Sequence, residues 1–339
     1  MSFRVRPATN DDFQQLYEMA KLTGGGFTNL PADRGALVDK LIRSEHAFAR
    51  QEESQADDLF MLMLENADTG QVRGTGQLFG QVGTEWPFYS YRISTLTQTS
   101  KALGKTFRAE MLTLVTDFEG SSEVGGLFLH PGERAGGLGL LLARSRYLFI
   151  RQHRRRFGNR VLAELRGVID EAGGSPFWDA IAGRFFGMNF QEADEFNAMH
   201  GTQFIADMMP KTPIYTAMLP ETARSVMGVP HPTGRAAMKM LEREGFHYDG
   251  YIDIFDGGPT MSAATDHVRT VREAKELSLS GISDDIGPEP MMLAAGRCHD
   301  FVACYGHAAP AGDGTATLDR ASAELLRVRP GDSFLAMGR

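Results

Sequence analysis

The chain has 339 residues, with 35 Lys and Arg against 43 Asp and Glu, a formal charge of −8. At about 150 residues per domain this length allows one large domain or two modest ones, and an apolar content of 42% excludes global disorder. The acidic balance argues against nucleic acid as a partner, because phosphate binding needs a basic footprint. Two cysteines, Cys298 and Cys304, are too few for a disulfide framework and point to a reducing compartment. Residues 1–7 carry no apolar stretch of signal-peptide type. The longest apolar runs, such as 60–64 and 291–295, and shorter ones like 140–143, fall far short of the ~20 residues that cross a bilayer. The expected setting is the cytoplasm, away from membranes.

In chain order, the alternation Phe3-Arg-Val-Arg6 predicts a short strand. Thr9-Asn-Asp-Asp12 then caps a helix with Phe13, Leu16, Tyr17 and Ala20 on one face. After Thr23-Gly-Gly-Gly-Phe-Thr28 a second helix is expected over 32–50, with Leu37, Leu41 and Ala47 inward. Strands follow near 59–65 and 72–82, joined by the turn residues Asn66-Ala-Asp-Thr-Gly70. Residues 86–96 and 106–116 extend the same sheet. Next come a strand over 124–129, a long helix over 137–156, a strand over 161–169, and a helix opened by Ser175-Pro176. The pattern is an α/β fold, a mixed central sheet with flanking helices. From 191 the chain reads as irregular until a helix at 233–244 and a strand at 251–255. Residues 278–290, rich in Ser, Gly, Asp and Pro, read as a linker, and the remainder as short strands. Three units are expected: a core over 1–190, an extension over 191–277, and a small C-terminal β subdomain over 278–339.

A strand, a glycine-rich loop and a helix N-terminus meet in Leu127-Phe-Leu-His-Pro-Gly-Glu-Arg134-Ala-Gly-Gly137-Leu-Gly139. Consecutive N–H groups and the helix dipole suit a pyrophosphate. No Gly-Lys-Ser/Thr follows, and Leu142 stands where a dinucleotide fingerprint needs its third glycine. The spacing Arg134-x-x-Gly137-x-Gly139 is similar instead to the loop of GCN5-related N-acyltransferases, which cradles the pyrophosphate of coenzyme A.

Further stretches carry a more specific resemblance. They are Thr23-Gly-Gly-Gly-Phe-Thr-Asn-Leu-Pro31, Pro87-Phe-Tyr-Ser-Tyr-Arg92, Gly120-Ser-Ser-Glu123, Leu127-Phe-Leu129 and Glu164-Leu-Arg-Gly-Val-Ile-Asp-Glu171. Ser175-Pro-Phe-Trp178, Met209-Pro-Lys-x-Pro-Ile-Tyr215 and Tyr251-Ile-Asp-Ile-Phe-Asp-Gly-Gly-Pro-Thr260 continue them in order. Over residues 1 to 275 the chain resembles the arginine N-succinyltransferase family; residues 97–119 diverge, and the last sixty residues are similar only loosely.

The resemblance implies a GCN5-related-like acyl-CoA N-acyltransferase fold and transfer of succinyl from succinyl-CoA to the α-amino group of L-arginine, with no metal. It also implies a homodimer or a heteromer with a homologous subunit. Ornithine or another amine as acceptor, and a non-catalytic paralogous subunit, stay open as alternatives. By position, Leu127 falls in the strand whose backbone binds succinyl-CoA, and Arg134, Gly137 and Gly139 fall in the phosphate loop. His231, between Pro230 and Pro232, falls where the family places its proton-donating histidine. A tyrosine acid common among GCN5-related enzymes is replaced by Phe185 or Leu241.

Arg92 or Ser121 is expected to meet the succinyl carboxylate, and Val124-Gly-Gly126 to widen the acyl pocket. Glu164 and Arg166, with Asp170 and Glu171, are candidates for arginine's charged ends. Direct attack by the amine is expected, with N–H groups of the 124–129 strand on the oxyanion. Arg151-Gln-His-Arg-Arg-Arg156 reads as a solvated basic face at a helix C-terminus. Cys298, Cys304 and His307 match no standard zinc spacing.

Overall fold

The structure, a computed structural model, describes residues 2–23, 29–134, 136–200 and 203–339. The motif beginning at Thr23 therefore lies largely outside the described residues, as does Ala135 of the glycine loop.

The N-terminal part runs β1 (Phe3–Pro7), α1 (Phe13–Lys21), α2 (Arg34–Ala49), β2 (Leu59–Asn66), β3 (Val72–Phe79), β4 (Ser90–Ser100), β5 (Lys105–Val115) and β6 (Ser122–Leu129). Then come α3 (Leu138–Gln152) and β7 (Arg160–Glu164). Short helices α4 (Pro176–Ala180), α5 (Gly183–Phe186), α6 (Phe190–His200) and α7 (Gln203–Met208) follow, with β8 (Ile214–Tyr215) and α8 (Glu221–Arg224). The stretch read as irregular is thus largely helical. α9 (Arg235–Glu244), β9 (His247–Asp253), β10 (Pro259–Ala264) and α10 (Arg269–Glu273) lead to the C-terminal strands. These are β11 (Lys275–Ile282), β12 (Met291–Ala295), β13 (Val302–Gly306), β14 (Ala308–Pro310), β15 (Thr315–Leu318) and β16 (Ser333–Gly338), with α11 (Arg320–Leu326) between the last two.

Local chemistry sets several boundaries. Asp33 caps α2 by accepting from Ala36 N–H at 2.7 Å, and Ser175 caps α4 with Pro176 at its first position. β2 is buried along its whole length, as its near-continuous apolar run requires at the centre of a covered sheet. β11 occupies the first part of the stretch read as a linker. Leu277 and Leu279 alternate inward there between exposed polar neighbours, and that alternation prevails over the loop-like composition.

Among the described residues sixteen strands form one sheet in the order β14-β15-β11-β16-β12-β13-β1-β2-β3-β6-β7-β10-β9-β4-β5-β8. The C-terminal strands join it through β13 against β1. α3 packs on one face of the central strands, and ten consecutive residues, 141–150, are buried there. Among the described residues no helix is long and apolar enough to cross a membrane.

One junction in the centre is parallel. β6 and β7 pair at only two positions, Ser122 with Val161 and Glu123 with Leu162. Past these the strands part, β6 staying with β3 and β7 with β10. On the β3 side Thr75 faces Phe128 while Gln77 faces Gly125, so β6 carries one extra residue. Gly126, at φ +55°, makes that bulge. The sheet therefore opens as a fork beside a bulge.

Candidate active site

Residues in register share a sheet face, and alternate residues repeat it. The pairings put Glu123, Glu164 and Thr260 on one face at the fork. Thr75 and Gln77 flank them on β3, and Ser90, Tyr251 and Asp253 on β4 and β9. Along this face Thr75 Oγ1, Gln77 Oε1, Ser90 Oγ, Glu164 Oε1 and Thr260 Oγ1 are buried without a hydrogen-bond partner among the described residues, as is Arg166 Nε just past β7. Folded proteins leave few such atoms. Their concentration along one face marks a place built for a polar ligand.

The same place is rich in carboxyl groups. Burial pushes Glu123 up to about 7, with Asp253 adding to the effect and Asn29 and Lys40 opposing it. Burial also lifts Glu164 well above its ordinary value, reinforced by Asp253, Glu123 and Asp256. Asp256 is pushed up to about 7 by burial and by Asp253, although its carboxylate accepts from Gly167 N–H at 2.7 Å and Gly258 N–H at 2.8 Å. Like charges in one dry site resist joint ionisation. A bound cation would relieve that repulsion.

Glu164 and Arg166 are thus both at the fork. His231 is tied to them, since its N–H donates to Arg166 C=O at 2.7 Å. Its Nδ1 faces Thr233 Oγ1 at 2.7 Å and Thr233 N–H at 3.3 Å, which leaves Nε2 without a hydrogen-bond partner among the described residues. Burial and the Arg166 charge hold its pKa below the ordinary imidazole value, so it is neutral at pH 7. Leu127 is the first residue after the bulge and packs half-buried against the main core.

Gly137 ends the glycine loop at φ +82°, where a side chain would also collide with Arg339, and Gly139 lies in the first turn of α3. Arg134 is exposed. Arg339 donates to Gly136 C=O at 2.7 Å and stacks on Tyr305, whose hydroxyl donates to Gly137 C=O at 3.1 Å. The far end of the chain therefore brings a second cation to the loop.

The other expected residues sit as follows. Arg92 is 54% exposed and lies 3.8 Å from Asp117; in register with Tyr251, it shares the site face at its outer edge, three strands from β7. Ser121 is taken up in the turn into β6, at the closed end of the fork: its N–H donates to Phe118 C=O and its C=O accepts from Val82 N–H. Asp170 caps its own turn at Ala172 and Gly174. The glycines of Val124-Gly-Gly126 do not widen a pocket. A Cβ on Gly125 would come within 2.6 Å of Asn29, and one on Gly126 within 2.6 Å of Gln77, so polar side chains occupy the space. Phe185 is half exposed on the four-residue α5, and Leu241 is buried in the main core.

The basic run is not a solvated face throughout. Arg156 is buried and donates to Ala47 C=O at 3.2 Å and Arg50 C=O at 2.7 Å, closing the C-terminus of α2. Glu53, His153 and Cys298 bring three potential metal-ligand atoms within 4.8 Å of one another. Both ring nitrogens of His153 are already engaged there, by Glu53 at 3.0 Å and Cys298 N–H at 3.3 Å. Arg156 and Arg297 also lie 3.3 and 2.9 Å from the Glu53 carboxylate. That cluster is an arginine-clamped ion-pair network. Cys304 is buried in the C-terminal core, and His307 pairs with Asp319 at 2.9 Å.

Composition hides Glu123, Asp253, Asp256 and Arg339. The signal that finds the first three is a carboxylate standing inside an otherwise apolar strand or strand end.

A mixed sheet that forks between parallel strands, with a glycine loop at the following helix, is the fold this chain shares with a solved succinyltransferase, which places it among the acyltransferases. Within that class, the chain belongs to the arginine N-succinyltransferase beta subunit family, whose model matches residues 3–270. The model for the C-terminal domain of the same family matches residues 275–337. Arginine N-succinyltransferase subunit beta from Pseudomonas aeruginosa is 40% identical over 335 residues, covering 98% of this chain and 97% of the relative. Arginine N-succinyltransferase from Citrobacter koseri is 42% identical over 86% of this chain and 84% of its own. Among solved structures, arginine/ornithine succinyltransferase subunit AI from Pseudomonas aeruginosa superposes with a TM-score of 0.91 at 31% identity, over 99% of this chain and 98% of the other.

Proposed function

We propose that the chain is an arginine N-succinyltransferase, a cytoplasmic enzyme that moves succinyl from succinyl-CoA to the α-amino group of L-arginine. The observation that carries this reading is the row of buried carboxyls and unpartnered polar atoms on one face of the fork.

The pyrophosphate of succinyl-CoA sits on the N–H groups around Gly137 and Gly139, with Arg134 and Arg339 as its cations. The pantetheine arm runs along the β6 edge that the fork leaves open. The Leu127 N–H then meets the thioester oxygen and holds the oxyanion of the tetrahedral intermediate. Arginine lies on the carboxyl-lined face, its guanidinium toward Glu164 and Asp253 and its carboxylate toward Arg166. The α-ammonium group gives up one proton to solvent before attack. As the C–N bond forms, neutral His231 accepts the second proton and passes it to the departing thiolate.

Glu164→Gln preserves shape and removes charge. A charged hydrogen bond contributes about 1.5–3 kcal/mol, so KM for arginine is expected to rise by about tenfold to a hundredfold, with acyl-CoA affinity unchanged. An unchanged KM for arginine in the folded variant contradicts the placement of the guanidinium.

A further inference from the structure

Two arginines of α3 stand two residues apart and differ in one respect. Arg144 is paired with Glu244 at 2.7 Å. Arg146 is equally buried, at 3% exposure, and among the described residues it meets no carboxylate. Its Nε donates to Ala143 C=O and its Nη1 to Gly125 C=O, both at 3.2 Å. Burial pulls its pKa below the ordinary value, opposed only by the neighbouring Tyr147 phenol and by no carboxylate.

The sheet makes room for this side chain. A Cβ at Gly76 would lie 3.2 Å from Arg146 Cδ, so β3 gives up a side chain where the arginine passes. Two neutral carbonyls and the Tyr147 ring, 5.8 Å from the guanidinium carbon, do not neutralise a buried cation, and a ligand that brings an anion to this spot lowers the cost. The guanidinium ends at Gly125, two residues before Leu127 on β6, a separation of at most about 7 Å by strand rise, shortened by the Gly126 bulge between them. In a succinyl group the second carboxylate stands two methylenes beyond the thioester carbon. That extended reach, plus a hydrogen bond of about 3 Å, matches the separation.

We propose that Arg146 is the acyl-specificity residue, receiving the distal carboxylate of a dicarboxylic acyl group whose thioester lies at Leu127. The inference rests on the acyl-CoA placement given above and adds to it the reason a charged acyl chain is chosen over a neutral one. Arg166 serves the opposite charge demand: it lies beside Asp256 and His231, on the amino-acid side.

The test is a calorimetric titration of the full chain, without amine, using succinyl-CoA and the uncharged butyryl-CoA. Arg146→Met is expected to weaken succinyl-CoA by about tenfold to a hundredfold, the worth of a charged hydrogen bond, and to leave butyryl-CoA within about threefold. Parallel losses for both ligands assign Arg146 to packing and overturn the proposal, as does no change for either. Gly76→Ala keeps the charge and displaces the guanidinium by a few tenths of an ångström. It is expected to lower the succinyl-to-butyryl affinity ratio severalfold, and it decides the matter if the methionine variant does not fold: an unmoved ratio overturns the proposal. A wild-type chain that binds neither acyl-CoA defeats the functional reading itself, a result distinct from unmoved ratios in the variants.

Discussion

His231→Ala is expected to lower kcat by about 10²–10⁴-fold, the usual contribution of a positioned acid or base, while acyl-CoA affinity stays close to wild type. The main-chain tie from residue 231 to Arg166 C=O survives the substitution. Among the described residues the side chain hydrogen-bonds within its own turn, to Thr233 through Nδ1, so the fold loses little. The missing function is that of Nε2 toward the reacting sulfur and nitrogen, an interaction made in the transition state, so the loss belongs in kcat. His231→Asn keeps a polar side chain but cannot titrate and is not expected to restore the rate. The measurements are kcat for both variants beside a thermal melt and an acyl-CoA titration. A kcat within about threefold of wild type excludes the proton-transfer role, because even the weakest typical contribution is about a hundredfold. A collapsed melt places the residue among structural ones.

Glu244→Ala is expected to be the most damaging change away from the site. Its carboxylate binds Arg144 Nε at 2.7 Å and accepts Thr270 N–H at 2.8 Å, and so joins α3, α9 and α10. The two ionic side chains are only 5% and 2% exposed. Deleting the acid leaves a buried arginine charge and an orphaned N–H, at a cost of about 3–5 kcal/mol. That is a large share of the ~5–15 kcal/mol that holds a typical domain folded. Glu244→Gln, which still accepts from Thr270, is expected to lose less. Urea midpoints with an unchanged slope report the difference. A loss below about 1 kcal/mol for the alanine variant contradicts the view of this pair as a buried, unsolvated bridge.

How far the sequence foretold these features depends on whether local pattern or distant register creates them. The central strands, the helix after the glycine loop and the Ser175-Pro176 cap were legible, because apolar periodicity and capping chemistry act within a few residues. The strand over 275–282 was hidden by its serines and glycine, although Leu277 and Leu279 already alternated. Arg156 could not be read as buried, since its partners are carbonyls at the end of α2 more than a hundred residues earlier. The glycine loop and His231 are assigned through motif position. The carboxyl cluster was only half found. Glu164 stood out on its strand, but Glu123, Asp253 and Asp256 meet it solely because β6, β7, β10 and β9 lie side by side. The two glycines before Leu127 misled for a physical reason: an absent side chain reads as space, and here Asn29 and Gln77 fill it.

The central claim is succinyl transfer to arginine by this chain, and one assay tests it most directly. The purified protein alone is given succinyl-CoA, with and without L-arginine, in parallel with acetyl-CoA and with ornithine, and free CoA and acylated amino acid are measured together. The account predicts CoA release that depends on arginine, one succinylarginine per CoA, and a clear preference for succinyl-CoA over acetyl-CoA. CoA release indifferent to arginine, or no transfer at all from a folded chain that binds succinyl-CoA, would contradict it.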